Sequence, residues 1–484
     1  MLGSRVNAQC SLTPLQHNYT ADLVLAAGWN SSLVSNGLTF PRGMLFDSEG
    51  NLLLVDKGIG VLGWKVVGRE DGGACLVEKK VVVENDEVRL EFNHGIALSD
   101  DGKTLYVSTK NDVFSYPYDA KTRTTTSSIS KSLITNMSNT GHVTRTLYIY
   151  SGTILISAGS EGNLDPLATN PNSGHSVIKV FSLKEAHSRK NAFDFKTEGR
   201  LLGWGLRNSV GLTVDPTTGG VWAVENSVDM LSREGKEIYQ DNPGEELNFL
   251  GWWNQTVNNP GYIGPNFGYP SCVAVWDVPS LPNNEGITVG QQIVVDQLST
   301  KNATTDADCN DEKKFTSPRL TFQAHMAPLD IHFDYFPSGG DGGLWVSFHG
   351  SWNRDVPTGY KLSKIPFNKA SGQPVAKATD KQSYEDVFWN RDTMKCKDNE
   401  CFRPVGVAID GNGRVWVGSD SSGEIMVLWT KGNRKGGPEG TDNGNNETSG
   451  NNGGVKNSAV IGRNLDGKTG LAGLVAGVFG MMLL

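Results

Sequence analysis

Six basic side chains hold comparable places in this chain: His94, His142, His325, Arg42, Arg207 and Arg403 each stand at the leading edge of a short phrase that recurs along the sequence. The types suit proton and anion chemistry. An imidazole titrating near ~6.5 is largely neutral at neutral pH and can take a proton from a reacting hydroxyl. A guanidinium pairs with carboxylates through two parallel N–H donors and steadies a developing oxyanion. One such residue alone reads as a surface loop side chain. His17, His175, His187 and His332 are read that way, His332 because it alternates within its own strand and faces away from the first set. Three His and three Arg in equivalent places are a different matter, provided the fold brings those places together.

The phrase itself says how. It runs from small or polar residues into an apolar run, through an Asp-Gly-type turn, into a second apolar run. The copies begin Arg42-Gly43-Met44-Leu45-Phe46-Asp47, His94-Gly95-Ile96-Ala97-Leu98, Arg145-Thr146-Leu147-Tyr148-Ile149, Val210-Gly211-Leu212-Thr213-Val214-Asp215, Leu329-Asp330-Ile331-His332-Phe333-Asp334 and Val405-Gly406-Val407-Ala408-Ile409-Asp410. Each is a β-hairpin signal, and a hairpin cannot bury its apolar face alone. Six copies tens of residues apart predict an all-β, six-bladed propeller closing around a channel, over residues 35–432. Closure would turn the six basic side chains toward one central mouth. Residues 1–34 are expected to pack on the propeller as an N-terminal segment.

The 484 residues carry a net charge of −8, with 44 Lys and Arg against 52 Asp and Glu, which argues against nucleic acid as a partner. The 58 glycines fit a hairpin-rich chain. Six cysteines show no zinc-type spacing; order and proximity pair them as Cys10–Cys75, Cys272–Cys309 and Cys396–Cys401, with buried free thiols as the alternative. Six glycosylation sequons, at Asn18, Asn30, Asn136, Asn254, Asn302 and Asn446, point with the cysteines to an extracellular protein. The first residues contain no apolar stretch of signal-peptide length. Residues 433–457 are a low-complexity Gly/Asn/Lys stalk, and 458–484 combine small residues, a polar spacer and the apolar run Leu471–Leu484. That is the pattern of a GPI-attachment signal, so a GPI anchor is the one membrane association expected.

Longer phrases narrow the chemistry. Gly141-His142-Val143-Thr144-Arg145 precedes the third repeat. Leu206-Arg207-Asn208-Ser209 is followed by Val224-Glu225-Asn226-Ser227-Val228 and Glu245-Glu246-Leu247-Asn248. Then come His349-Gly350-Ser351-Trp352-Asn353-Arg354, Pro357-Thr358-Gly359-Tyr360-Lys361 and Arg403-Pro404-Val405-Gly406-Val407. Over about residues 35–430 the chain resembles the soluble quinoprotein glucose and sorbosone dehydrogenases, most closely the secreted fungal pyranose dehydrogenases that use pyrroloquinoline quinone (PQQ). The family fold is also a six-bladed propeller.

The resemblance implies roles. His142 matches the base that deprotonates the sugar's anomeric hydroxyl while hydride passes to the quinone. Arg207 matches the Arg that stabilises charge on a quinone oxygen, and Asn208 would bond the same ring. Arg403 would pair with a cofactor carboxylate; Arg42, Lys57, His94, His325, His349 and Trp352 are further pocket candidates. Calcium is the second implied cofactor, on the backbone carbonyls of Ser227 and Val228. The implied reaction is oxidation of an aldose or pyranose to a lactone or ketone by a monomeric enzyme. Its electrons would pass to an external acceptor: a small quinone, a cytochrome or a copper polysaccharide monooxygenase. Two departures concern His142. The bacterial enzymes carry an acid where this chain has Gly141, and an orienting Asp where it has Ser160 followed by Glu161, either of which could hold the ring. Two other functions fit a six-bladed propeller, a calcium-dependent hydrolase or lactonase and a non-enzymatic extracellular binding module. The first wants converging Asp, Asn and Glu side chains; the second has little need of His and Arg at a channel.

Overall fold

The computed structural model describes residues 10, 14–85, 91–125, 131–137, 139, 141–257, 259, 261–298, 304–334, 342–398 and 400–430. The stalk at 433–457, the segment 458–484 and the sequons at Asn302 and Asn446 lie outside the described residues.

Each predicted phrase forms the inner two strands of an antiparallel blade. Blade 1 runs Pro41–Phe46, Leu52–Asp56, Gly60–Gly68, Ala74–Glu84, and blade 2 runs Ile96–Leu98, Thr104–Ser108, Val113–Asp119, Lys131–Thr135. Blade 3 is Leu147–Tyr150, Thr153–Ala158, Val177–Ser182, Arg200–Trp204, and blade 4 is Ser209–Val214, Gly220–Glu225, Glu245–Trp252, Leu320–Phe322. Blades 5 and 6 borrow from the N-terminus. Leu23–Leu25 pairs outside Glu385–Asn390 in blade 5, and Trp29–Ser35 pairs with Glu424–Thr430 as the outer strand of blade 6. The N-terminal segment therefore enters the sheets, beyond the packing expected of it. The first strands of all six blades touch in a closed ring, and the apolar clusters lie between successive blades.

The repeat's polar residues explain why the hairpins turn where they do. The Asp that ends an inner strand accepts the turn's amides: Asp47 Oδ1 takes Glu49 N–H at 3.0 Å and Asn51 N–H at 2.9 Å, and Asp410 Oδ1 takes Asn412 N–H at 2.9 Å. Its other oxygen accepts the indole N–H of the second strand, from Trp416 to Asp410 at 2.9 Å and from Trp345 to Asp334 at 2.8 Å. The repeated glycine has a packing reason. A Cβ on Gly406 would stand 2.1 Å from the Arg42 carbonyl oxygen, and one on Gly43 would stand 2.4 Å from that of His94. Inner strands approach too closely there for any side chain. Four inner strands also change register at their leading ends, between Pro41 and Met44, Ser209 and Gly211, Pro328 and Asp330, and Pro404 and Val407. Such bulges re-aim side chains beside a site.

All three expected disulfides are present. Cys272–Cys309 staples the long excursion between the last two strands of blade 4, and Cys396–Cys401 closes the loop just before Arg403. His175 departs from the surface-loop reading: it is buried, with Nδ1 2.7 Å from Asp165 Oδ2.

Candidate active site

Loops from blades 3 to 6 meet over a cavity of about 420 Å³. Of the residues singled out in the sequence, His142, Arg207, Asn208, Ser227, His325, His349, Trp352 and Arg403 line it. Three do not. Lys57 Nζ lies over the Phe40 ring, 5.6 Å from its centroid. Arg42 is turned into an ion pair with Asp420, at 2.6 Å, and His94 lines the central channel beneath, its Nδ1 accepting from Arg42 Nε at 3.3 Å. The Arg42–Asp420 ion pair and the Arg42–His94 hydrogen bond hold these two away from the mouth that the repeat pattern alone assigned them. Val228 buries its side chain in an apolar cluster, so its backbone alone is at issue. His332 lines the central channel.

His142 has a defined tautomer. Its Nδ1 lies 3.1 Å from the Ser160 carbonyl oxygen and 2.9 Å from Ser160 Oγ. A carbonyl oxygen can only accept, and Ser160 Oγ spends its own proton on the Gly162 carbonyl at 2.6 Å, so Nδ1 carries the hydrogen. Nε2 then holds the lone pair, and among the described residues no donor reaches it. Of the two candidates for orienting the ring, it is Ser160 that does so. Burial, reinforced by the Arg207 guanidinium, depresses the His142 pKa to about 4. The ring is a neutral base over the whole physiological range. Gly141 is also explained, because a Cβ there would sit 1.7 Å from the Glu161 carbonyl oxygen. An acid at this position has no room.

Arg207 is fixed on every side. Nη2 donates to Asp229 Oδ2 at 2.9 Å and to Asn163 Oδ1 at 3.0 Å, Nε to the Asn163 carbonyl at 3.2 Å, and Nη1 to the Asn226 carbonyl at 3.3 Å. Its backbone N–H donates to Glu225 Oε1 at 2.6 Å, and its carbonyl accepts Ser160 N–H at 2.8 Å, tying it to the support of His142. Arg403 is held differently. Nε and Nη2 donate to the carbonyls of His349 and Gly350 at 3.3 and 2.8 Å, and among the described residues no carboxylate pairs with it. Its charge is left for something else.

Asp229, Asn163, Glu245, Asn353 and Asp420 were not assigned from sequence, although Asp229, Glu245 and Asn353 fall within or beside the phrases that carried the resemblance. Asp229 joins three blades: besides Arg207, Oδ1 accepts from Asn353 Nδ2 at 2.9 Å and lies 3.4 Å from His325 Nδ1. Glu245 is buried and accepts Ser227 N–H at 2.7 Å and Ala327 N–H at 3.3 Å, while burial lifts its pKa to about 7. No one-dimensional signal separates such residues from the many acids of an acidic chain.

The site suits a polyanionic, planar ligand. Arg403 offers an unpaired charge to an anion, Asn353 Oδ1 is a buried acceptor without a partner that calls for an N–H or O–H on the same ligand, and Gly159 leaves room where a Cβ would stand 2.7 Å from both Asn208 Oδ1 and His142 Cβ. It also suits a hard cation held by main-chain oxygen. Among the described residues no group of three His, Cys, Asp or Glu side chains converges as a metal site, and no hydrogen bond from them reaches the carbonyls of Ser227 and Val228. Glu245 and Asp229 stand beside these two carbonyls as the nearby acids.

A PQQ-dependent sugar dehydrogenase of Hypocrea jecorina is 41% identical over 88% of this chain and 94% of its own length. A PQQ-dependent pyranose dehydrogenase of Coprinopsis cinerea is 35% identical over 84% of this chain, which spans 54% of that longer relative. Among solved structures, a calcium structure of a Trichoderma reesei carbohydrate-active enzyme of family AA12 superposes with a TM-score of 0.79 at 41% identity, covering 87% of this chain and all of that one. The holo form of the Coprinopsis cinerea pyranose dehydrogenase PQQ domain superposes with a TM-score of 0.75 at 34% identity, covering 84% and 97%. Residues 23–431 match the profile of the TrAA12-like family, and the chain belongs to that family.

Proposed function

We propose that this protein is a PQQ- and calcium-dependent dehydrogenase that oxidises aldoses or pyranoses at the anomeric carbon. The observation that carries the reading is the bare Nε2 of His142, opening into the same cavity as Arg207 and the unpaired Arg403. When bound, PQQ supplies the quinone that takes the substrate's hydride, and calcium supplies a Lewis acid beside it.

The chain's own groups do the rest. His142 Nε2 accepts the proton of the substrate hydroxyl, so that the carbon becomes a carbonyl as its hydrogen leaves with two electrons. Ser160 keeps the proton on Nδ1 and thus the lone pair on the working nitrogen. Arg207, clamped by Asp229 and Asn163, provides fixed positive charge for a developing oxyanion without rearranging. Asn208 adds a neutral donor on the same wall. Arg403 would pair with a carboxylate of the cofactor, and the Ser227 and Val228 carbonyls would hold the ion. Trp352, 73% exposed, borders the entrance, and His325 lies buried in the wall.

The wider reading is of an extracellular, monomeric, GPI-anchored glycoprotein acting on a monosaccharide. It delivers electrons to a separate small quinone, cytochrome or copper polysaccharide monooxygenase. Three disulfides and the sequons support an oxidising compartment. The test is to titrate the protein with PQQ and Ca²⁺ and follow reduction of an artificial acceptor by a panel of aldoses. Sugar-dependent reduction that requires both additions is expected; the proposal is overturned if neither binding nor turnover occurs. His142→Ala should lose turnover by about 10²-fold or more while still binding PQQ.

A further inference from the structure

A second imidazole in the pocket wall is tethered more strongly than the first. His349 Nε2 lies 2.8 Å from Asp420 Oδ1, and Asp420 Oδ2 accepts from Arg42 Nη1 at 2.6 Å. Asp420 is buried and flanked by these partners, which outweigh burial and hold its carboxyl well below the usual range, so it is ionised and can only accept. The hydrogen must therefore sit on His349 Nε2. Burial is the largest influence on His349 and lowers its pKa from the ordinary value against the opposing pull of Asp420; the neutral ring, with its hydrogen on Nε2, carries its lone pair on Nδ1. Among the described residues no donor reaches Nδ1. The backbone is pinned as well: His349 N–H donates to the Ala327 carbonyl at 2.9 Å, and Arg403 Nε donates to the His349 carbonyl at 3.3 Å. His349 lines the cavity whereas Arg42 and Asp420 do not, so the ring edge facing the ligand is the one opposite its tether.

We propose that His349 presents Nδ1 to the pocket as a fixed acceptor for an O–H or N–H of the bound ligand, with Asp420 and Arg42 as positioning residues that lock its tautomer. The proposal rests on the functional reading above. His349 Nδ1 joins Asn353 Oδ1 and His142 Nε2 as a neutral acceptor in a wall that also carries the guanidinium groups of Arg207 and Arg403. It discriminates for ligands that bring a hydrogen to that spot, either the pyrrole N–H of the quinone or a sugar hydroxyl.

Two substitutions separate this role from a structural one. In H349N the amide oxygen falls near the position of Nδ1, keeping the acceptor and losing the Asp420 tether. In H349Q the amide nitrogen falls near Nε2, keeping the tether and losing the acceptor. The measurements are PQQ affinity of the calcium-loaded apoprotein, by fluorescence titration, and KM for the sugar in the reconstituted enzyme. H349Q and D420N are expected to weaken one of these about 10-fold, with H349N within about 3-fold of the parent. Weakened PQQ affinity assigns the donor to the cofactor; a raised KM with unchanged PQQ affinity assigns it to the sugar. If H349Q retains parental values in both, or H349N is worse than H349Q, the acceptor role is overturned while the functional reading stands. A parent protein that does not bind PQQ overturns both. D420N, which leaves His349 in place, guards against misfolding of the His349 variants.

Discussion

The pH dependence of the chemical step tests the site's electrostatics directly. With a pKa of about 4, His142 is about 90% neutral at pH 5, whereas an imidazole of ordinary pKa would be only about 3% neutral there. The parent enzyme should therefore keep most of its plateau rate at pH 5, where an unperturbed base would have lost about 30-fold. The assay is anaerobic, single-turnover reduction of the PQQ-loaded enzyme by sugar, read as kcat/KM from pH 3 to 8, which removes the acceptor's own protonation from the profile. The rate should rise with pH and level off above about 5, because the neutral ring is the active form. Burial is the larger cause of the depression and Arg207 the second, so Arg207→Gln should move the limb upward: removing a neighbouring cation lets the imidazole protonate at higher pH. Ser160→Ala removes the 2.9 Å contact but keeps the carbonyl, so it should cost about 1 kcal/mol, or about 5-fold. An acid limb centred near 6.5 in the parent, or one that Arg207→Gln moves downward, would refute this account of the base.

Three further outcomes follow from the geometry. Gly141→Ala places a methyl group 1.7 Å from the Glu161 carbonyl oxygen, so the loop must shift and take His142 with it; kcat should fall at least 10-fold with PQQ affinity changed far less, both measurable on one preparation. Cys396→Ser together with Cys401→Ser opens a five-residue separation beside Arg403, which should lower stability by about 2 kcal/mol in denaturant titration and weaken PQQ binding more than it changes the kcat of saturated enzyme. Calcium removal by chelation should reduce PQQ affinity, and Glu245→Ala, which releases Ser227 N–H, should raise the calcium concentration needed to restore it, as followed by the calcium-dependent rise in Tm.

Much of the scaffold was legible in the chain because hairpin formation is local. Alternating apolar residues, an Asp that caps its own turn and a glycine at each close approach lie within a dozen positions of one another, and six repetitions leave a ring as the economical way to bury them. The site was legible only in part. His142, Arg207 and Arg403 project from equivalent places and converge. Arg42 and His94 hold equivalent places too, but the Asp420 carboxylate draws Arg42 aside, and Arg42 in turn holds His94 out of the pocket. Asp420 comes from the far end of the chain, so nothing near Arg42 announces it. Ser160 is read as the partner of His142 only once the direction of its hydroxyl is known, which depends on the Gly162 carbonyl two residues on.

The pairing of Trp29–Ser35 with Glu424–Thr430 also sets an order of events. The strand that completes blade 6 is made among the first, and its partner is made some 400 residues later. Throughout synthesis the early strand waits without its hydrogen bonds, and closing a loop of that length costs about 5 kcal/mol of chain entropy before the pairing returns anything. Blade 6 carries Arg403, a wall of the pocket, and Asp420, the tether of His349. The pocket is thus assembled last, and its appearance times completion of the ring more sharply than any gain of sheet structure. A nascent chain stopped short of blade 6 would hold its base, His142, its clamp, Arg207, and the imidazole of His349, without the cation of Arg403 and without the Asp420 carboxylate that tethers that imidazole. Joining the paired ends through a short linker and opening the chain elsewhere should relieve that wait, and such a permutant should regain activity sooner after dilution from denaturant than the natural order does.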